Sequence, residues 1–108
     1  MAAMPKPALT IKRIEHFGDA RDEQIFTSLS KGKHEEAEFL SERDVEVLFD
    51  FEEGTPFRYG DIFRVSAGQV VHSGPLKDNV KVGEHYRYSV IPMTGSVGGT
   101  DPEIIITN

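Results

Sequence analysis

Short runs of alternating apolar and polar residues, separated by turn residues, occupy most of this sequence. The clearest run covers residues 45–52, and its apolar positions are Val45, Val47, Phe49 and Phe51. Since successive side chains of a strand point to opposite faces, this period of two predicts a strand with one buried face. Residues 86–90 repeat the pattern and predict another half-buried strand nearer the C-terminus.

Turn residues divide the rest of the chain into short segments, and they fall at residues 18–19, 31–33, 54–56, 66–69, 74–75, 78–79 and 92–102. This spacing predicts an all-β fold: a Greek-key β-sandwich of seven to eight short antiparallel strands, in one domain spanning residues 1–108. Gly68 is expected to take the left-handed conformation of a tight hairpin turn. Residues 34–43 fit either a returning strand or a short helix, because Ala37 and Leu40 also suit helical spacing.

The last predicted strand, residues 103–107, is apolar on both faces. Its alternation sends Ile104 and Ile106 into the core and leaves Ile105 on the opposite face. Either a neighbouring segment covers Ile105, or a second copy of the chain pairs with an exposed strand edge. A second copy of the chain, in a homodimer, is therefore one expected partner.

The charge of the chain is acidic and uneven. The 108 residues carry a formal net charge of -6, and the acidic excess falls in the first half, most densely from Glu35 to Glu53. An acidic balance argues against a protein that reads duplex nucleic acid, which would need a basic surface. The acidic run is expected to be a solvated face that keeps the protein soluble.

Several protein classes are excluded by residue types that the sequence lacks. There is no Cys, which excludes disulfides, a thiolate zinc site and a Cys nucleophile. No apolar run reaches the length of a secretory signal core or a membrane span. We therefore expect a cytoplasmic protein that does not bind membranes.

Residues 80–90, with the sequence VKVGEHYRYSV, resemble the corner between strands E and F of immunoglobulin-like and fibronectin type III sandwiches. Val80, Gly83 and Tyr86 match that spacing, so the resemblance makes Tyr86 the tyrosine-corner residue. The same stretch is similar to the last two strands of cupredoxins, in which a Tyr-x-Tyr run precedes the copper-ligand loop. Val90 stands where that family has its Cys ligand, and the following loop offers Met93 without a His. The resemblance thus implies a β-sandwich without copper.

The candidate recognition residues mix aromatic and cationic groups, and they are Arg58, Tyr59, His72 and Arg87. Arg and aromatic residues on loops are typical of binding surfaces. In the alternative interpretation, Phe57 or Tyr59 simply packs against the core. With no nucleophile elbow, phosphate-binding loop or dinucleotide fingerprint in the sequence, we expect no enzyme and no cofactor. The leading hypothesis is a non-catalytic binding or protein-interaction module for an unknown protein partner or small ligand, with contact loops at 54–60, 73–79 and 92–102.

The alternative hypothesis is a protein that binds a divalent metal. Such a site would use His72 with His85, or an acidic strand face in which Glu46, Asp50 and Glu52 meet Glu36 and Glu38 across a strand pair. The four histidines, His16, His34, His72 and His85, lack the spacing that brings ligands together on one strand or helix. We therefore expect them to be surface residues.

Overall fold

The computed structural model describes residues 10–50, 52–94 and 101–108. Within these residues the secondary structure consists of one 3-10 helix, Ala20–Gln24, and eight strands: β1 Ile11–His16, β2 Phe26–Ser30, β3 Glu36–Ser41, β4 Val45–Phe49, β5 Ile62–Val65, β6 Val71–His72, β7 His85–Pro92 and β8 Glu103–Thr107. No helix in this part of the chain is long and apolar enough to span a membrane.

The strands form two sheets, with the orders β1-β3-β6 and β2-β8-β7-β4-β5. This confirms the predicted all-β class with two sheets. Two pairs, β1 with β3 and β2 with β8, are parallel, so the expectation of antiparallel strands throughout was wrong. The chain leaves the first sheet after β1, forms β2 in the second sheet and then returns. Because of that crossover, β3 runs in the same direction as β1.

The segment that fitted either a strand or a helix is a strand from Glu36 to Ser41. Ala37 and Phe39 are fully buried, whereas Glu36 and Glu38 lie on the opposite face and are half-buried. The burial period is therefore two. Pairing with β1 on one side and β6 on the other outweighs the local helical spacing.

The core lies between the inner faces of the two sheets. It contains Ile14, Leu29, Ala37, Phe39, Val45, Val47, Phe49, Phe57, Val65, Val80, Tyr86, Tyr88, Val90, Ile104 and Ile106. The predicted inward positions of β4, Val45, Val47 and Phe49, are thus confirmed. Phe51, the fourth predicted position, is outside the described residues.

Gly68 has a φ of +75°, which confirms the left-handed conformation expected for it. The turn closes through a 3.0 Å hydrogen bond from the Gln69 amide to the Ser66 carbonyl. The flanking strands β5 and β6 belong to different sheets, however, so the turn is a crossover between sheets and the predicted hairpin is wrong.

Strand β8 confirms the predicted faces of the three consecutive isoleucines. Ile104 and Ile106 are 0% and 1% exposed, whereas Ile105 is half-buried on the outer face. Ile105 lies between Ser28 of β2 and His85 of β7. Because β8 has a strand on each side, it offers no free edge to a second copy, and the expected dimer contact through the edge of this strand is wrong.

The contrast between these isoleucines is testable. Replacing Ile104 with Ala should lower the free energy of unfolding by about 2–5 kcal/mol, because it removes fully buried methyl groups. The matched control, Ile105→Ala, should cost about 1 kcal/mol or less. Urea denaturation measures both, and equal losses would contradict the assigned faces.

Candidate functional site

Two of the loops proposed as contact regions, residues 54–60 and 73–79, lie side by side, and we call them the loop pair. The Lys77 amide donates to the Pro56 carbonyl at 2.8 Å, and the Arg58 amide donates to the Pro75 carbonyl at 2.9 Å. Between these bonds Phe57, which is fully buried, anchors the first loop in the core. Both backbones are therefore fixed to each other and to the core.

The loop pair presents Arg58 and Tyr59 to solvent. Arg58 Nη2 lies 2.7 Å from Asp78 Oδ1 on the second loop. The Tyr59 side chain is 75% exposed, and a Cβ placed on Gly74 would lie 3.3 Å from Tyr59 Cδ2. Of the two aromatic residues for which core packing was considered, Phe57 enters the core and Tyr59 remains outside.

The other two candidate residues lie on sheet faces. His72, on β6, has Nδ1 3.9 Å from Glu38 Oε2 on the outer face of the three-stranded sheet. Arg87, on β7, has Nε 3.4 Å from Glu103 Oε1 on the outer face of the five-stranded sheet. The structure therefore brings Arg58 together with Tyr59, and it does not join all four candidates in one site.

A cleft of about 200 Å³ opens beside the loop pair. Its lining residues are Lys31, His34, Glu36, Arg58, Pro75, Leu76, Lys77 and Asp78. They come from three separate stretches of the chain: the turn before β3 with the start of that strand, and the two loops of the loop pair. No sequence motif joins these stretches, so only the fold reveals the cleft.

The residue sets suggested for a metal site do not come together. His72 and His85 belong to different sheets, and so do Glu38 and Glu46, because β4 pairs with β5 and β7 rather than with β3. Glu38 instead binds Arg13 at 2.7 Å. In the described ranges no group of three or more His, Asp and Glu side chains is placed to hold a metal ion.

A buried polar triad, His16, Asp22 and Tyr88, was missed by the sequence reasoning. His16 Nε2 lies 3.1 Å from the Tyr88 hydroxyl, and His16 Nδ1 lies 3.5 Å from Asp22 Oδ1, which is long for a hydrogen bond. The Asp22 carboxylate also accepts the backbone amides of Phe17 and Gly18, both at 2.9 Å. The expectation that His16 is a surface residue is wrong, since its side chain is 0% exposed.

Electrostatics sets the charge of Asp22 and Tyr88 within the triad. Burial raises the pKa of Asp22, but the contact with the His16 imidazole and the hydrogen bonds from the two backbone amides outweigh burial and bring the pKa below its ordinary value. Burial raises the pKa of the Tyr88 hydroxyl, and the nearby Asp22 charge raises it further. Tyr88 is therefore neutral. In the tautomer with its proton on Nδ1, the His16 ring directs that proton toward the Asp22 carboxylate, and Nε2 accepts from the Tyr88 hydroxyl.

The triad has the connectivity of a hydroxyl, an imidazole and an orienting carboxylate that hydrolases use. Here the side chains of His16 and Asp22 are 0% exposed and Tyr88 is 1% exposed. The contact between His16 and Tyr88 joins strands of the two sheets within the core. One sequence signal for it exists, because His16 follows Ile14 at the spacing of a single strand face.

Comparison of the chain with known protein families, with curated proteins and with solved structures finds no match. The loop pair and the cleft beside it offer exposed groups that a partner or ligand can contact, whereas the side chains of the triad are buried.

The pH dependence of stability tests the role of Asp22. At pH 7, Asp22→Asn should lower the free energy of unfolding by about 1–3 kcal/mol, because the buried amides and His16 lose a charged acceptor. The folded-state pKa of Asp22 is depressed, so this stabilisation is present above the unfolded-state pKa of about 3.9. It should diminish as the pH falls from there through the folded-state pKa.

Urea denaturation at several pH values, with Glu23→Gln as the exposed control from the same 3-10 helix, measures this difference. A difference between wild type and Asp22→Asn that stays constant down to pH 2 would contradict the depressed pKa.

The two tyrosines of β7 form a matched pair for a second test. Tyr88→Phe should lower the free energy of unfolding by about 1–3 kcal/mol, because buried His16 Nε2 loses its partner. Tyr86→Phe should cost less, since the Tyr86 hydroxyl lies 3.2 Å from Glu84 Oε1 near the surface. Thermal unfolding of both variants gives the comparison. If Tyr86→Phe were the more damaging change, the structural role assigned to the triad would be wrong.

Proposed function

We propose that this protein is a non-catalytic binding module that presents the loop pair to a protein partner. The observation that carries the proposal is the 75% exposure of Tyr59 on a backbone fixed by hydrogen bonds between two loops. Tyr and Arg are the residue types that most often dominate the energy of protein interfaces. Arg58 lies next to Tyr59 in the chain, so both can contact the same partner surface.

Fixed loops favour binding because they are already ordered before the partner arrives. Ordering a flexible loop on association costs conformational entropy, and a preorganised loop avoids most of that cost. Here Phe57 holds the first loop in the core, and the bonds of Lys77 and Arg58 join it to the second. Tyr59 adds a large contact area with few rotatable bonds.

We further propose that the architecture is that of a cupredoxin-like sandwich without a metal. Immunoglobulin-like sandwiches consist of two antiparallel sheets, and their tyrosine corner bonds to a backbone group. In this chain β1 and β3 are parallel, β2 and β8 are parallel, and the Tyr86 hydroxyl contacts the Glu84 carboxylate. These departures favour the cupredoxin-like alternative. Val90, which stands at the position of the copper-binding Cys, is buried among apolar side chains.

The loop pair also suggests the chemistry of the partner. Tyr59 requires an apolar depression with a hydrogen-bond partner for its hydroxyl. Arg58, which already binds the Asp78 carboxylate at 2.7 Å, can exchange that carboxylate for one on the partner. We therefore propose a partner surface that combines an apolar pocket with an acidic side chain.

Cross-linking in extracts of the native source, followed by quantitative mass spectrometry, tests this function. Tyr59→Ser should reduce the recovery of the specific partner at least about tenfold, because it removes the central aromatic contact. Phe26→Ser is the matched control, since Phe26 is also an exposed aromatic residue, at 63%, and lies on β2.

The comparison between the two variants decides the proposal. A protein recovered by wild type and Phe26→Ser but lost with Tyr59→Ser is the expected partner. A cross-linked second copy of this chain with the same dependence would identify a homodimer. Recovery that is unaffected by Tyr59→Ser, or reduced equally by Phe26→Ser, would contradict the assignment of the binding surface to the loop pair.

A further inference from the structure

We infer that the cleft beside the loop pair binds an oxyanion, a phosphate or carboxylate group, through Lys31, His34, Arg58 and Lys77. The inference rests on the proposed function to the extent that Arg58 belongs to both surfaces. It adds a ligand class and a defined place for it. The oxyanion can be a free ion or a group carried by the partner.

The charge of the cleft contrasts with that of the whole chain. Its lining contains three Lys and Arg residues together with His34, against two carboxylates, Glu36 and Asp78. The chain as a whole has a formal net charge of -6. Basic groups from three separate stretches of an acidic chain thus converge on one cleft, which is the arrangement that binds anions.

The backbone holds these basic residues in place before any ligand arrives. The Lys31 amide donates to the Thr107 carbonyl at 2.8 Å, and its Nζ donates to the Val80 carbonyl at 2.7 Å. That bond uses one of the three N–H donors of the Lys31 ammonium group. Lys77 is fixed through its backbone bond to Pro56, and its ammonium group makes no hydrogen bond or ion pair with any described residue.

The backbone conformation of His34 is a second, independent observation that indicates a binding site at the cleft. Its φ is +54°, and it is the one non-glycine residue with a positive φ among those the structure describes. A glycine would adopt this conformation without strain, yet the position carries an exposed imidazole that lines the cleft. Strained backbone of this kind is concentrated at binding sites.

Asp78 indicates where the oxyanion would bind. Its side chain is 94% exposed, and Oδ1 lies 2.7 Å from Arg58 Nη2. The Asp78 carboxylate is therefore an internal oxyanion bound to the Arg58 guanidinium. Because the pair is exposed to solvent, the contact contributes little stability. A ligand oxyanion would take its place. The cleft volume of about 200 Å³ is several times that of one water molecule, so it admits a group of several atoms.

A titration with inorganic phosphate at pH 7, followed by amide NMR shifts, tests the inference. Ionic strength is held constant with sodium chloride, since a general charge effect would respond to salt alone. Saturable shifts are expected at residues 31–34 and 75–78. Acetate, titrated in the same way, shows whether a carboxylate also binds.

Four variants test how individual side chains change the affinity for phosphate. Arg58→Gln and Lys77→Gln should each weaken phosphate binding about two- to fivefold, as expected for the loss of one exposed charge contact. Asp78→Asn should strengthen binding by a similar factor, because it frees the Arg58 guanidinium. Lys33→Gln is the matched control, since Lys33 is an exposed basic residue of the same turn that does not line the cleft.

Several results would overturn the inference. They are an absence of saturable shifts, an equal loss of affinity in Lys33→Gln and Lys77→Gln, or an Asp78→Asn affinity no higher than that of wild type.

Tyr59→Ser should leave phosphate binding unchanged, because Tyr59 does not line the cleft. Partner capture that depends on Tyr59 without phosphate binding would therefore overturn this inference alone. Phosphate binding without Tyr59-dependent capture would overturn the proposed function alone.

Discussion

The buried carboxylate of Asp22 connects the two sheets of this protein. Between β1 and β2 the chain crosses from one sheet to the other, and the Phe17 and Gly18 amides at the start of the crossover donate to Asp22. The same carboxylate faces His16, whose ring reaches Tyr88 in the opposite sheet. A charge buried without such partners would destabilise the fold. Here two amides and an imidazole compensate, and the crossover is fixed as a result.

Aromatic packing extends this connection from the triad to the candidate binding surface. The Tyr88 ring packs on Phe49 with 5.0 Å between centroids, and Phe49 meets Phe57 edge-on at 5.6 Å. Phe57 is the buried anchor of the first loop, and the next two residues are the exposed Arg58 and Tyr59. The position of these candidate recognition residues thus depends on the core, because a densely packed interior transmits a local displacement to its neighbours.

The parts of this structure that the sequence predicts are those set by local alternation. Val47 on β4 and Ile104 on β8 were assigned to the core from a period of two, because burial of one strand face imposes that period. Tyr59 was placed on a contact loop from turn residues and composition. The parallel pairs were not predictable, since alternation does not specify which strands cross between sheets. His16 was missed because its partner Tyr88 is 72 residues away, and the cleft was missed because its basic residues lie on three separate stretches of the chain.

Asp22 and Asp78 show why side-chain chemistry alone does not define a site. Each carboxylate faces a basic side chain, yet the side chain of Asp22 is 0% exposed and that of Asp78 is 94% exposed. Removing the charge of Asp22 leaves buried donors unsatisfied, so its contacts belong to the fold. Water can replace Asp78 at Arg58, so that exposed pair adds little to stability and is free to exchange. A fixed carboxylate at the crossover and an exchangeable one at the cleft are what the proposed binding module would require.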